Sequence, residues 1–319
     1  MAKQDQNWHT IGWIGTGRMG FPMAARLLQA GCDVQAFNRT RSKAEPLVKL
    51  GATLVSKPAD LVGRDIVFLM VGGPEDLEQV TLGADGLLTR KGAAPRYIVD
   101  CSSVSQESSA RVRAAAAKRG TGMLAAPVSG NGKVVKAGKL GMVASGPREV
   151  YELMLPYLRV IAAGVTYVGE GEVARMVKIC HNVFLGVVSQ ALAEVTVLAE
   201  KGGVPRHAFL EFINKSVVGS VFTRYKSPAL VKLDFTPMFT SILLRKDLDL
   251  GLEAARALEV PLPVAALTRE LLQALIGDGY AETDFAALLL QEARGANLRM
   301  TPEDVPVNDG LEPPAAGPA

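Results

Sequence analysis

The chain has 319 residues, 48% hydrophobic and 21% charged, with a formal net charge of +3. It is long enough for two domains with separate cores, and its composition is that of an ordinary globular protein. The mild charge and the lack of a long Lys/Arg run exclude a nucleic-acid footprint. The N-terminal stretch MAKQDQNWHT lacks the apolar core of a signal peptide, so a cytoplasmic protein is expected. Cys32, Cys101 and Cys180 show no C-x-x-C spacing and read as reduced, small core residues. No ligand spacing joins them to the histidines, so no metal is expected.

In chain order, apolar runs alternate with amphipathic stretches. IGWI (11–14), DVQAFN (33–38), DIVFLMV (65–71), RYIVDC (96–101) and GMLAAPV (122–128) are predicted strands. Helical stretches at 18–30, 41–50, 75–82 and 106–119 separate them. This rhythm predicts an α/β fold, a Rossmann doubly wound parallel sheet. KLGMVASG (139–146) and VTYVG (165–169) are expected to extend that sheet, with a helix near 148–159 between them. From about residue 171 the pattern is helical: a long apolar helix over 172–201, then segments near 205–215, 240–258, 262–277 and 283–293. Gln190, Glu194 and Glu200 interrupt the long helix, which is expected to lie buried in protein and not in a membrane. The expected organisation is a dinucleotide-binding domain over 1–169, a second, all-helical C-terminal domain for substrate and oligomer contacts over 170–300, and a flexible Pro-rich tail over 301–319. A homodimer or homotetramer is expected from the long apolar helix and the small second domain.

The first motif is GTGRMG, a Gly-x-Gly-x-x-Gly that follows the run IGWI and precedes a helix. In that setting glycines permit a tight turn and close backbone approach to a pyrophosphate, which the helix N-terminus attracts. Gly15, Thr16, Gly17, Arg18, Met19 and Gly20 are therefore candidate dinucleotide contacts. An NAD site calls for an acidic residue about 20 positions on. Here the second strand ends in FNRTRSK. Asn38 is neutral, Arg39 offers a guanidinium and Thr40 a hydroxyl, so a 2′-phosphate is welcomed and nothing repels it. NADPH is the expected cofactor, with NAD(H) left open. Val71, by its place at the end of a core strand, is a further candidate cofactor contact.

The second motif is VKICHN (177–182), where Lys178, His181 and Asn182 interrupt an apolar helix. With both motifs in hand, the sequence resembles the β-hydroxyacid dehydrogenase family, which includes 3-hydroxyisobutyrate dehydrogenase and the glyoxylate/succinic semialdehyde reductases. The resemblance covers roughly residues 10–295. GWIGTGRMGFPMAARLLQAG resembles the family's dinucleotide loop, DCSSVSQESS its Asp-x-Ser-Thr segment, and APVSGNGKVVKAGKLGMVASG its substrate-binding segment. GEGEVARMVKICHN resembles its catalytic helix and LRKDLDL its later Lys-Asp pair. Ser103 stands where Thr is usual, Asn131 where a second Gly is common, and His181-Asn182 where Asn-Asn is common.

The resemblance implies that Lys178 is the acid/base. A carbonyl that receives hydride needs a proton donor within hydrogen-bond reach, and a desolvated lysine can supply it. Residues i, i+3 and i+4 share a helical face, so Lys178, His181 and Asn182 are expected to project together. Asn182 is expected to orient substrate oxygens; His181 is read either as a helper or as a packed structural residue. Ser129, with the backbone about Gly130 and Asn131, is the expected site for a substrate carboxylate. The resemblance puts Ser103 near the nicotinamide riboside, and a helix N-cap is its plain alternative. It also puts Lys246 near cofactor and substrate, with Asp247 fixing geometry. Phe222, Tyr225, Lys226 and Phe239 are places to look for the substrate pocket. The activity implied is NADPH-dependent reduction of a small carboxylated aldehyde, reversible as a 3-hydroxyacid dehydrogenase. An imine reductase, or a non-catalytic dinucleotide-bound scaffold, are the alternatives that Lys178 argues against.

Overall fold

A computed structural model of the chain describes residues 9–90 and 92–311. The chain divides into two compact units between Lys178 and Ile179. That division lies inside a helix, beyond the change of pattern near Gly169 in the sequence.

The first unit is built on six parallel strands: β1 (Ile11–Ile14), β2 (Val34–Phe37), β3 (Thr53–Leu54), β4 (Ile66–Leu69), β5 (Tyr97–Asp100) and β6 (Gly122–Ala125). Their order is β3-β2-β1-β4-β5-β6. This is the doubly wound order, in which the crossover direction reverses between β1 and β4. Every residue of β1 and β4 is buried, as expected for central strands covered on both faces. Trp13 stacks on Phe68 across that pair, with ring centroids 5.5 Å apart. The helices α1 (Gly20–Gln29), α2 (Glu45–Val48), α3 (Pro74–Leu82) and α4 (Gln106–Ala117) form the connections. β3 escapes sequence reading because two residues carry no periodicity.

Residues 139–146 and 165–169 do not extend this sheet. They form a separate one, in which β7 (Val128–Ser129) lies antiparallel to β8 (Gly141–Ala144), itself parallel to β9 (Gly164–Tyr167). A bridge between Ala125 and Ser145 joins the two sheets. Pro127 explains the break. It has no N–H to continue the parallel ladder, and its carbonyl instead accepts from Val143. Helices α5 (Gly132–Lys136) and α6 (Arg148–Ile161) complete this region.

The second unit takes up α7 (Val173–Lys201) from Ile179 onward, followed by α8 (Arg206–Lys215), α9 (Val221–Lys232), α10 (Ser241–Ala257), α11 (Pro263–Gly277) and α12 (Leu288–Gly295). By length and composition alone α7 could cross a membrane, yet Leu192, Ala193 and Val197 belong to the core of this unit. Helix α9 is absent from the sequence reading. Its buried face carries Thr223, Lys226 and Ser227 beside Leu230 and Val231, which hides the apolar stripe, and Pro228 lies inside it. Lys226 is buried against Asp284 at 2.5 Å, with its ammonium 4.2 Å from the centre of the Phe285 ring. Asp284 also accepts from the Met238 and Phe239 N–H groups, so this lysine ties helix to loop. Cys32 and Cys101 are core residues as expected; Cys180 is exposed.

The expected tail is anchored over residues 301–311. Glu303 accepts from the backbone N–H groups of Arg206 and His207, the first two residues of α8, and meets His207 Nδ1 at 2.8 Å. Its own N–H donates to the Val231 carbonyl, and the Thr301 carbonyl accepts from Arg206. An acidic side chain thus caps a helix whose own preceding residue, Pro205, supplies no side-chain cap. Pro and Gly content masked these contacts in the sequence. Residues 312–319 lie outside the described residues.

Burial raises the Glu303 pKa, but the hydrogen bonds from His207 and Arg206 outweigh it and hold the group below its ordinary value. A depressed carboxylate stabilises the fold above its unfolded pKa and loses that contribution as pH falls through the folded value. Glu303→Gln is therefore expected to cost about 1 kcal/mol in urea unfolding at neutral pH, and the difference from wild type should shrink as pH falls through the lowered pKa of the folded carboxyl.

Candidate active site

The dinucleotide loop joins β1 to α1 beside the carboxyl end of β4. Gly15 has φ +94°, and a Cβ there would lie 2.1 Å from the Met70 carbonyl oxygen. A Cβ on Gly20 would lie 2.0 Å from the Gly15 oxygen, to which Trp13 Nε1 also donates at 2.7 Å. Side chains are thus excluded at two of the three glycines by the protein's own backbone. Gly17 is different: among the described residues no atom comes within 4 Å of its would-be Cβ. Its smallness leaves room beside the loop, as a pyrophosphate needs. Arg18 is exposed beside it, while Met19 is the residue preceding α1 and is partly buried.

Asn38 braces this loop. Its Oδ1 accepts the Thr16 N–H at 2.8 Å and its Nδ2 donates to the Thr40 carbonyl at 2.8 Å. Thr16 is buried, Thr40 exposed. The Arg39 side chain is 84% exposed and bonds Asp76 at 2.9 Å. An exposed pair of this kind is worth little, so the guanidinium remains exchangeable toward a phosphate. These residues fit a nicotinamide dinucleotide, with backbone and glycines for the pyrophosphate and Arg39 and Thr40 exposed at the end of β2.

Beyond β4 and β5 the Val71 N–H donates to Ser102 Oγ at 2.9 Å. Ser103 is partly buried next to it. It is not the N-cap of α4; that residue is Ser105, whose hydroxyl accepts the Ser108 N–H. Ser129 ends β7, and Gly130 has φ +135° with a would-be Cβ 2.8 Å from Val134. Asn131 caps α5, its side-chain oxygen accepting from Lys133 and Val134. The expected anion segment is thus a strand end, a glycine turn and a helix start.

Lys178 is partly buried in α7. On the same helix, in the second unit, a polar chain runs from partly buried His181 through buried Asn182 and Asp247 to Lys246. His181 Nδ1 lies 2.9 Å from Asn182 Oδ1, Asn182 Nδ2 donates to Asp247 Oδ2 at 2.5 Å, and Lys246 Nζ lies 3.1 Å from Asp247 Oδ1. Asp247 only accepts, so it fixes the amide nitrogen of Asn182 toward itself and the amide oxygen toward His181. The histidine therefore donates from Nδ1. Glycines set this meeting. A Cβ on Gly251 would lie 2.2 Å from Val183, and one on Gly186 3.1 Å from Leu248. Gly186 is one turn past Asn182 and Gly251 one turn past Asp247, so α7 and α10 come close on the face that carries the polar pair. Lys226, by contrast, is buried against Asp284.

The sequence places Asp100 and Ser102 in the Asp-x-Ser-Thr segment without giving either a role, and passes over Arg175. Arg175 is 1% exposed; its guanidinium meets Asp100 Oδ2 at 2.5 Å, the Ser102 carbonyl at 2.5 Å and Ser109 Oγ at 3.2 Å. The available signal was an arginine three residues before Lys178 on an apolar helix, together with the aspartate of the Asp-x-Ser-Thr segment closing an apolar strand.

Residues 10–169 match the family described as the NAD binding domain of 6-phosphogluconate dehydrogenase, and residues 169–291 the NAD-binding domain of NADP-dependent 3-hydroxyisobutyrate dehydrogenase. The chain is 31% identical to glyoxylate/succinic semialdehyde reductase 2 of Arabidopsis thaliana, over 88% of its own length and 78% of the relative's. The chain belongs to the β-hydroxyacid dehydrogenase family. A second family relative, the NAD-dependent L-serine dehydrogenase of Pseudomonas aeruginosa, is 32% identical over 87% of this chain and 96% of its own. The solved structure of Psf3 with NADP+ and 2-OPP matches at TM-score 0.79 and 26% identity, covering 88% of this chain and 99% of that one. This β-hydroxyacid dehydrogenase is an NAD(P)-dependent oxidoreductase acting on a small molecule.

The glycine geometry separates two kinds of failure. Gly17→Val is expected to melt as wild type does but to bind NADPH and NADH at least about tenfold more weakly, because the side chain fills the space for the cofactor. Gly15→Ala is expected to lose about 1–3 kcal/mol of stability through its clash and positive φ. Thermal melting and fluorescence titration of both nucleotides distinguish them.

Proposed function

We propose that the enzyme reduces a small carboxylated aldehyde to a hydroxy acid with NADPH, and runs reversibly as a 3-hydroxyacid dehydrogenase. The observation that carries the reading is a partly buried Lys178 one helical turn before Asn182, whose amide is locked by Asp247. When bound, the dihydronicotinamide supplies hydride. Lys178 supplies the proton to the developing alkoxide and takes it back in the reverse direction. Asn182 presents a neutral, oriented amide to substrate oxygens, and Asp247 keeps Lys246 and Asn182 in register. Ser129 and the backbone at Gly130 and Asn131 are proposed to receive the substrate carboxylate. Ser103 and Val71 are proposed on the cofactor side.

The preference for NADPH is supported by the end of β2, where Asn38 is used internally and Arg39 and Thr40 are exposed. No carboxylate stands between residues 38 and 43 to hold a ribose diol. The chain is similar to proteins named for NADP and for NAD alike. A homo-oligomer is also proposed, since Phe184 and Leu198 on α7 are 68% and 72% exposed; light scattering that shows a monomer at micromolar concentration would refute it.

The direct test is a panel of glyoxylate, succinic, tartronate and methylmalonate semialdehydes with both cofactors. Wild type is expected to turn over at least one, with NADPH ahead of NADH. Lys178→Ala should lower kcat by roughly 10²–10⁴-fold while NADPH binding changes little. Arg39→Ala should weaken NADPH binding roughly 10- to 150-fold, the equivalent of about 1.5–3 kcal/mol for a charged hydrogen bond, and leave NADH unchanged. Tight NADPH binding without turnover of any carbonyl would favour a scaffold.

A further inference from the structure

We propose that Arg175 is a positioning residue for Lys178, acting through Asp100 to fix the first turns of α7 against the carboxyl ends of β4 and β5. The inference rests on Lys178 being the proton donor and adds a residue that touches neither substrate nor cofactor.

Arg175 and Asp100 form an ion pair with side chains 1% and 0% exposed. Burying two charges is expensive, and apolar side chains of similar volume often serve stability as well or better. A pair retained at that cost is more economically explained by the geometry it imposes. Its partners show what it holds. Asp100 closes β5, and its Oδ1 accepts the Ser102 N–H at 3.0 Å while Oδ2 takes Arg175 Nη2 at 2.5 Å. Ser102 Oγ accepts the Val71 N–H beyond β4, and the Ser102 carbonyl accepts Arg175 Nη1. Nε donates to Ser109 Oγ of α4 and lies 3.9 Å from Glu172 Oε2. One guanidinium thus gathers two strand ends, a following helix and the start of α7.

The segment entering α7 is held separately. The Ala174 N–H donates to Ser145 Oγ, which itself donates to the Gly171 carbonyl, and Arg113 bonds Glu172. Those contacts fix where the helix begins. The buried side chain at 175 adds a hold on the helix's rotation nearer to Lys178. Lys178 follows by three residues, less than one turn and about 4.5 Å along the axis. A rotation of the helix about its own axis would swing Lys178 sideways, and a displacement of about 1 Å at a reacting group can cost roughly 100-fold in rate. The same carboxyl ends carry Val71 and, through Met70, the close contact with Gly15 of the dinucleotide loop. The pair therefore references the proton donor to the part of the fold that carries the cofactor loop.

The test compares wild type with Arg175→Met, Arg175→Lys, Asp100→Asn and Lys178→Ala. Each is measured for NADPH affinity, for kcat and KM on whichever aldehyde of the panel wild type reduces, and for the primary isotope effect with 4-deuterated NADPH. Amide hydrogen exchange over 173–181 is followed without substrate. Arg175→Met is expected to keep NADPH affinity within about threefold and KM nearly unchanged, to lose kcat at least about 30-fold with an increased isotope effect, and to exchange faster over 173–181. Arg175→Lys should recover part of kcat. An Arg175→Met enzyme with kcat within about threefold of wild type overturns the proposal. If Arg175→Met does not fold, Asp100→Asn decides by the same criteria. If neither folds, the pair is a stability device and the proposal fails. Should Lys178→Ala keep full kcat, the proton-donor reading fails on its own, whatever the Arg175 variants do.

Discussion

Opposite charges at Arg175 and Asp100 meet in the dry interior of the first unit, and each makes the other tolerable there. Removing either partner leaves an uncompensated buried charge, typically about 3–5 kcal/mol of destabilisation. The pair therefore constrains everything attached to it. On one side are the ends of β4 and β5, where an open parallel sheet presents its ligand crevice. On the other is α7, the helix that carries the polar turn of Lys178, His181 and Asn182. A helix needs no charge to pack, so the placement of this one is better understood as a demand of the chemistry than of the core.

A second constraint operates inside the helical unit. Asn182, Asp247, Lys246 and His181 form a chain of hydrogen bonds that only works because α7 and α10 approach over glycines. Larger residues at Gly186 or Gly251 would push the helices apart and lengthen the Asn182–Asp247 bond. The backbone sets the distance, the carboxylate sets the amide orientation, and the amide sets the histidine tautomer. In the nucleotide loop the order is the same: Gly15 and Gly20 let backbone meet backbone, and Asn38 then binds the loop to the end of β2.

Much of this was legible in the residues. Central strands such as IGWI are apolar throughout because both faces are covered, and that pattern survives without context. Gly-x-Gly-x-x-Gly is legible because the close contacts it permits are local. What was not legible involves long-range pairing. KLGMVASG has strand composition whichever sheet it joins; the lack of an N–H on Pro127 sends it to the smaller one. Helix α9 hides because its buried face is partly polar, and Lys226 is acceptable there only once Asp284, 58 positions on, is in place. Glu303 resembles one more polar residue of a tail until α8 offers it two unpaired N–H groups. Arg175 was read past for the same reason: a buried arginine has meaning only beside its partner.

The central claim is that the ammonium of Lys178 donates to the oxygen of the reducible carbonyl. A crystal structure of the enzyme with NADP+ and the hydroxy acid it forms tests this most directly. The account predicts Lys178 Nζ within about 3.2 Å of the substrate hydroxyl, with the carbinol carbon facing the nicotinamide ring. A Lys178 side chain turned to bulk water, with another group on the substrate oxygen, would contradict it.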